Sequence, residues 1–441
     1  MWPPLRLARL RRERESVVVV SPVQVSEGEH AVRTIGLDVH RNFAQIAVLG
    51  GPKPASPRIS TDPESLRAFA QTLGPDDQVV LEATANTWAI ADLLAAHAGR
   101  VVVSNPLRTR AIADAKIKTD KVDAATLAQL LAADFIPEVW VPDAQTRALR
   151  RRIAHRRALV AQRTRLRNQV HASLIRSLVA CPFTDLFGKQ GRSWLDKVEL
   201  AADERASVES CLRLHDTLEV EIAAIDQALA KTALANEDAQ LLCTISGIGA
   251  VTGLAICAAI GPIDRFVRPN KLVSYLGLDP RVRQSGEGPA RTGHISRAGQ
   301  AHARGLLVEA AHDAVRSPGP LAAFHGRVAA RRGPQVAAVA VARKLVVIIW
   351  HLLVHRTTYR WTGPTRLADK HRRLELQSGA PRRQTREQAS QPRAERLQAE
   401  RTALQDAERE YRKLVRERSG TRPPQRGAHV TALEEQEARR R

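Results

Sequence analysis

Four carboxylates in this 441-residue chain lie where they could bind a divalent metal ion. Asp38 falls in a β-prone run, Glu82 follows the apolar run QVVL, and Asp120 and Asp123 lie where a helix is predicted to begin. An i, i+3 spacing puts Asp120 and Asp123 on one helical face, where like charges are unfavourable unless a cation lies between them. Mg²⁺ prefers oxygen ligands, and two such ions could hold a scissile phosphate. The four acids therefore predict a Mg²⁺ site for phosphoryl transfer.

Lysines surround the two aspartates at this predicted helix start. Lys116, Lys118 and Lys121 would face a phosphate backbone while the acids hold the metal. Each feature also has an ordinary structural explanation, because aspartates stabilise helix N-termini and Lys116 with Asp120 is a common i, i+4 pair. Glu82 could be a surface residue at a strand end. The acids taken together, within GLDVH, LEAT and KTDKVDA, favour the catalytic interpretation.

A second segment with phosphate chemistry is GLDPRVRQSGEGPARTGHISRAGQAHAR, residues 277–304. Ser285 precedes Gly286, so the backbone can expose its hydroxyl, which needs a base, a metal or strong positive charge at the phosphate to attack. Turn chemistry alone equally explains Ser285. Ser296 is a competing nucleophile that could instead cap the helix that follows. Five arginines are available for phosphate oxygens: Arg281, Arg283, Arg291, Arg297 and Arg304.

The elements that must position these residues follow from hydrophobic periodicity. Residues 31–142 alternate short β-prone runs, including a hairpin that begins at Thr34, with helical stretches, which predicts an α/β layer domain. Residues 143–235 contain two long amphipathic helices, which predict an antiparallel pair or an intermolecular coiled coil. Residues 236–361 predict a mainly α domain.

Three further segments complete the organisation. Gly247 and Gly249 lie in a turn that fits either a helix-hairpin-helix, whose N–H groups bind phosphate, or a plain helix–helix turn. The apolar segment 336–354 contains Arg343 and Lys344 and predicts a buried helix instead of a membrane span. Residues 1–30 form an extension of no assigned function, and the charged tail 362–441 is predicted to be disordered or marginally helical.

Composition narrows the class of protein. Lys and Arg number 68 against 46 acids, for a net charge of +22, and such an excess favours a nucleic-acid partner, although a basic bias of a GC-rich genome is an alternative. Four cysteines without a CxxC spacing exclude a disulfide framework or a structural zinc site. No secretory signal is present at the N-terminus, so we expect a soluble cytoplasmic protein without a membrane partner.

Six motifs in order resemble the DEDD transposases of the insertion-sequence one-ten (IS110) family, also described as bridge-RNA-guided recombinases. The resemblance extends over about residues 34–361. Its motifs are GLDVH (36–40), LEAT (81–84), NPLRTRAIADAKIKTDKVDAATLAQLL (105–131), ISGIGAVTGLAICAAIG (245–261), YLGLDPRVRQSG (275–286) and GHISRAGQAHAR (293–304). The family usually has a proline where this chain has Ser246, and both ends of the chain exceed the typical family length.

The resemblance implies a RuvC-like domain with an RNase-H-like fold, a coiled-coil region and a C-terminal transposase domain. It identifies Asp38, Glu82, Asp120 and Asp123 as the Mg²⁺-binding tetrad and Ser285, in RQSG, as the nucleophile. It also implies DNA at the element ends and target and a structured non-coding RNA as partners. The long amphipathic helices of residues 143–235 add the expectation of a homo-oligomer, a dimer or tetramer.

The sequence and the resemblance together predict a transposase or recombinase of a bacterial insertion sequence, which cuts and rejoins DNA under the guidance of a structured RNA. A RuvC-like structure-specific nuclease with water as nucleophile is an alternative, and capture of a covalent protein–DNA adduct separates the two. A non-catalytic RNA- or DNA-binding protein with structural acids is a third possibility, which indifference to Mg²⁺ would favour.

Overall fold

The computed structural model describes residues 32–53, 57–113, 119–286, 288–381 and 392–420. The chain divides into two compact units between Val141 and Pro142, called here the N-terminal and C-terminal units. The extension 1–30 and the predicted phosphate contacts Lys116 and Lys118 lie outside the described residues.

The N-terminal unit contains a mixed β-sheet with the strand order β3-β2-β1-β4-β5. Strand β2 is antiparallel to β1 and β3, whereas β1, β4 and β5 are parallel. This arrangement confirms the predicted hairpin and the α/β class. The elements are β1 (Thr34–Val39), β2 (Phe43–Leu49), β3 (Arg58–Ser60), α1 (Pro63–Ala70), β4 (Gln78–Glu82), α2 (Thr87–Ala95), β5 (Arg100–Ser104), α3 (Pro106–Ile112) and α4 (Asp120–Ala132).

Helices cover both faces of this sheet. One face packs against α1 and α2, and the other buries Val80 and Val102 against Leu127 of α4. Helix α4 packs closely on β1 at Gly36, where an added Cβ would lie 2.0 Å from the Ala124 carbonyl oxygen. Because no real Cβ contact is that short, glycine at this position sets how closely α4 can pack on β1.

The C-terminal unit is mainly helical, with one small two-stranded sheet among its described residues. Its elements are α5 (Ala144–Arg176), α6 (Lys189–Leu195), α7 (Ala202–Leu234), α8 (Glu237–Cys243), α9 (Ala250–Ile260), a 3₁₀ turn (Ile263–Arg265), α10 (Pro269–Tyr275), β6 (Pro280–Arg283), β7 (Arg291–Ile295), α11 (Ala301–Ala314), α12 (Pro320–Arg332), α13 (Pro334–His355), α14 (Pro364–Ser378) and α15 (Arg393–Gly420).

Helix α13 passes through the core of this unit. Its side chains Val341, Leu345 and Ile349 are fully buried among residues of α10 and α11. By length and composition α13 could cross a membrane, but half of its most apolar 18-residue stretch is buried inside the unit. The prediction of a buried core helix is confirmed.

Helices α5 and α7 pack against each other as an antiparallel pair within one chain. Arg163 Nη1 lies 3.0 Å from Glu219 Oε1, and Arg176 Nε lies 2.6 Å from Glu204 Oε1. The α5 partner with the higher residue number thus contacts the α7 partner with the lower one, so the two helices run in opposite directions. One of the two predicted arrangements is therefore present. A coiled coil between chains stays a prediction.

Part of the tail, for which disorder or marginal helix was predicted, forms the packed helices α14 and α15. Arg393 of α15 donates to Asp369 of α14 at 2.6 Å, and Gly319 N–H, at the start of α12, donates to Glu408 of α15 at 3.1 Å. Ala407 is buried where α15 packs on α12. Ion pairs and backbone contacts hold much of this region, so a composition with few apolar residues concealed its order.

Candidate active site

Asp38 and Glu82 lie at the carboxyl ends of two adjacent strands, β1 and β4. These strands are parallel, and Leu37 with Leu81 is their last registered pair, so the two acids follow at equivalent positions. Neighbours at equivalent positions in a parallel sheet point to the same face. The residues two positions earlier on both strands pack against α4, so Asp38 and Glu82 belong to the face that α4 covers.

Helix α4 brings the other two acids to this end of the sheet. Thr119 caps the helix, because its side-chain oxygen accepts from the Val122 N–H at 3.3 Å. Asp120 and Asp123 both lie in the first turn, where the helix dipole favours negative charge. Since Thr119 performs the capping, neither aspartate is needed for it, and Asp120 instead contacts residues of the sheet.

Asp38, His40 and Asp120 form a compact cluster. His40 Nε2 lies 3.1 Å from Asp38 Oδ2 and 3.4 Å from Asp120 Oδ1, and one ligand atom from each residue lies within 4.8 Å of the others. Arg58 of β3 donates to Asp120 Oδ2 at 3.1 Å. The ring of Phe43 stacks on His40 and also lies under the Arg58 guanidinium. Two carboxylates and an imidazole at these distances fit a divalent metal ion.

The charges around Asp38 also favour a cation. Burial raises the pKa of Asp38, and the negative charges of Asp123 and Asp120 act in the same direction. His40 opposes this rise through its hydrogen bond and its charge. A cation bound at the cluster would compensate the partly buried and crowded carboxylates.

Sequence reasoning missed His40 and Arg58 as members of this site. His40 follows Asp38 by two residues in GLDVH, and this spacing of two potential ligands at a strand end could have indicated it. Arg58 lies 62 positions from Asp120, and its contact depends on the pairing of β3 with β2. The amino-acid pattern contains no comparable signal for that contact.

The second predicted site surrounds the β6–β7 hairpin of the C-terminal unit. Ser285 is exposed in the connection between the strands, next to Gly286, which has a positive φ of 61°. A depression of about 570 Å³ lies along the hairpin, and four of the five predicted arginines line it: Arg281, Arg283, Arg291 and Arg297. The hairpin therefore combines an accessible hydroxyl with concentrated positive charge.

The fifth arginine and the competing serine are occupied by other contacts. Arg304 Nη1 donates to the carbonyls of Leu276 at 3.2 Å and Ala298 at 3.1 Å. Ser296 Oγ donates to Asp279 Oδ1 at 2.6 Å. These bonds hold the loops beside the hairpin.

Two smaller expectations also have an outcome. Ser296 does not cap the following helix, because α11 begins at Ala301 with Gln300 in the cap position. Lys121, the described member of the lysine group, is exposed in the first turn of α4, beside the acids.

Comparison with known families matches both units. A DEDD transposase model of the IS110 type matches residues 35–177, and a model described as "Transposase IS116/IS110/IS902 family" matches residues 239–326. The chain belongs to the IS110 family of DEDD transposases. The family predicted from the six motifs is thus confirmed.

Relatives of this transposase come from several bacteria. The transposase for insertion sequence element IS1111A of Coxiella burnetii is 35% identical, over 31% of this chain and 38% of the relative. A probable family 20 transposase of Pseudomonas aeruginosa is 28% identical, over 74% of this chain and 98% of the relative. A pilin gene-inverting protein of Moraxella bovis is 29% identical, over 52% of this chain and 64% of the relative.

Proposed function

We propose that this transposase cuts and rejoins DNA with a Mg²⁺-binding tetrad and a serine nucleophile. The tetrad consists of Asp38, Glu82, Asp120 and Asp123, with His40 beside it as a further possible ligand. The observation that carries the proposal is the approach of Asp38, His40 and Asp120 within 4.8 Å at the carboxyl end of β1. When bound, Mg²⁺ would polarise the phosphodiester and neutralise developing negative charge.

An RNase-H-like, RuvC-like assignment of the N-terminal unit is part of this proposal. The mixed sheet and the acids at the ends of the adjacent parallel strands β1 and β4 support it. The short contact between β1 and α4 at Gly36 also supports it, because that contact brings acids of a strand and a helix into one site.

Ser285 is proposed to attack the phosphate. A bond forms between Ser285 Oγ and phosphorus, while the bond between phosphorus and the 3′ oxygen of the DNA breaks. The proton that leaves Ser285 Oγ is transferred through water to the departing 3′ oxygen, which becomes a 3′ hydroxyl. A different 3′ hydroxyl then displaces Ser285 in the reverse step and rejoins the strand. The arginines that line the hairpin depression would hold the phosphate oxygens during both steps.

Guidance by a structured RNA and assembly into a dimer or tetramer complete the proposal. The net charge of +22 and the exposed arginines of α5 supply sites for a phosphate backbone. The Moraxella relative is named for inverting a pilin gene, and inversion by rejoining cut strands is the same class of reaction.

A denaturing-gel assay with Mg²⁺, DNA of the element ends and the element's RNA tests the proposal. We expect a covalent protein–DNA adduct from the unaltered chain, which Ser285→Ala and Asp120→Asn abolish. Ser296→Ala tests the competing serine, and the adduct should survive it, at a lower yield where the lost bond to Asp279 loosens the hairpin.

Three results would contradict parts of the proposal. Cleavage without an adduct that survives Ser285→Ala would indicate a nuclease that uses water. An adduct lost only in Ser296→Ala would move the nucleophile to Ser296. Nucleic-acid binding without cleavage, unaffected by Mg²⁺, would indicate a binding protein with structural acids.

A further inference from the structure

A lysine from the tail occupies the turn between α8 and α9. Lys370 of α14 donates from Nζ to three main-chain carbonyls: Cys243 at 3.1 Å, Ile245 at 3.0 Å and Ile248 at 3.2 Å. An ammonium group has three N–H donors, and this contact set uses all of them. The lysine lies more than 120 positions from the turn in sequence, so the contact depends on the fold of the tail.

The turn itself is tightly constrained. Gly247 has a positive φ of 86°, and an added Cβ would lie 2.3 Å from the Ala310 carbonyl oxygen of α11. Helix α9 begins at Ala250, with Gly249 in the cap position and no side-chain cap. The first N–H groups of a helix have no partner within it and favour an anion such as phosphate. The shape of this turn therefore determines where those groups point.

The three carbonyl oxygens can bind a cation, and as ligands they are dipoles that bring no net negative charge. Carbonyl oxygens of this kind replace the hydration shell of a monovalent ion such as K⁺, whereas divalent ions in proteins usually recruit carboxylates. Burial lowers the pKa of Lys370, so its charged form depends on these oxygens for compensation. The Lys370 ammonium is itself a monovalent cation, and the three carbonyl oxygens contact it directly.

We propose that the Cys243, Ile245 and Ile248 carbonyls form a monovalent-cation site, called here the carbonyl site, which Lys370 fills from within the chain. Through this contact α14 holds the α8–α9 turn in the form that presents the α9 N–H groups. A cavity of about 780 Å³ adjoins the turn, and its lining includes Gly247, Gly249, the basic side chains His371 and Arg373 and the acids Glu237 and Asp313. The α9 N–H groups and the basic side chains are the groups that would receive a phosphate, a further step that rests on the proposed function.

The carbonyl site predicts a switch in ion dependence. The unaltered full-length chain should unfold at the same temperature in KCl and in N-methylglucamine chloride of equal ionic strength, because no site is open. Lys370→Ala should lower the midpoint by at least about 4 °C in N-methylglucamine chloride. KCl should restore most of that loss, because K⁺ fits the vacated position and the bulky organic cation does not.

Two variants control this experiment. Lys370→Met leaves an apolar chain in the site, so it should lose stability and gain nothing from K⁺. Lys271→Ala removes an exposed lysine of α10 and should match the unaltered chain in both salts. The proposal is wrong if Lys370→Ala is equally stable in both salts, if it remains unfolded in both, or if Lys370→Met recovers in K⁺ to the same extent.

Binding of duplex DNA, measured at fixed ionic strength, tests the phosphate contact separately from the carbonyl site. We expect Lys370→Ala to bind about tenfold more weakly in N-methylglucamine chloride and to recover in KCl. Recovery of stability without any effect on binding would keep the carbonyl site but refute the phosphate contact. If the unaltered chain forms no adduct while the ion switch is observed, the proposed function fails and the carbonyl site stands.

Discussion

Replacing Gly36 with alanine should separate the two elements that carry the acid cluster. The new Cβ would lie 2.0 Å from the Ala124 carbonyl oxygen and 2.8 Å from the Ala128 nitrogen, both in the backbone of α4. Ordinary contact begins near 3.4 Å, so α4 must retreat from β1 by roughly 1.4 Å. Because both contacting atoms belong to the backbone, no side-chain rotation can relieve the clash.

Gly36→Ala should affect both the stability of the protein and its catalytic rate. Overpacking of this kind costs about 1–3 kcal/mol in the free energy of unfolding. The same retreat would lengthen the present separation of Asp38 and Asp120, which now share His40. A displacement of about 1 Å at a catalytic site can reduce the rate roughly 100-fold. Gly36→Ala should therefore impair activity far more than its loss of stability explains.

Two measurements on the full-length chain test this reasoning. Denaturant unfolding gives the stability, and the rate of adduct formation at saturating Mg²⁺ gives the activity. Gly74→Ala is the matched control in the same unit, because its Cβ would meet its nearest neighbour at an ordinary 3.8 Å. If Gly36→Ala keeps full activity, or loses it only where the protein is unfolded, the close β1–α4 contact does not set the catalytic geometry.

Three further predictions concern charge. Asp38→Asn should raise the unfolding temperature in EDTA, because burial and neighbouring acids disfavour the charge, and it should remove any stabilisation by Mg²⁺ in a thermal scan. Titration of DNA at several salt concentrations gives the slope of log K against log salt concentration, and Arg283→Ala should reduce the size of this slope by about 1. Arg304→Ala should leave the slope unchanged and lower the stability, because Arg304 donates to main-chain carbonyls instead. The hydrogen bond from Arg176 lowers the pKa of Glu204 to about 2, so the stability it contributes is present above the unfolded pKa and lost as pH falls toward 2. Unfolding of Glu204→Gln should thus differ from that of the unaltered chain at pH 7 and converge with it near pH 2; equal curves at pH 7 would contradict this.

Local patterns predicted the elements that depend on neighbours in sequence. The β1–β2 hairpin has alternating side chains and a short polar turn, and β4 and β5 are short apolar runs. The start of α4 follows from Thr119 and the acids after it. Asp38, Glu82 and Asp120 could be proposed together because acids at strand ends and helix starts converge in layered folds.

Contacts between distant segments could not be predicted in this way. Arg58 reaches Asp120 only after β3 pairs with β2, and Lys370 reaches the α8–α9 turn only after α14 packs. The packing of α14 and α15 could not be predicted for the same reason, since polar contacts such as Arg393 with Asp369 have no periodic signature. Hydrophobic patterns report burial, whereas these contacts depend on directed hydrogen bonds.

The antiparallel α5–α7 pair has two separate apolar anchors. At one end Ile153 and Leu229 pack against Leu254 of α9, and at the other Val170 packs with Leu195 in a small core of its own. A 33-residue helix is about 50 Å long, so the pair is a spacer whose length is set by residue count. Removing seven residues from each helix between the anchors would shorten it by about 10 Å and keep both cores. A series of chains with spacers of different length would then show which separation between the Leu254 anchor and the Leu195 anchor recombination requires.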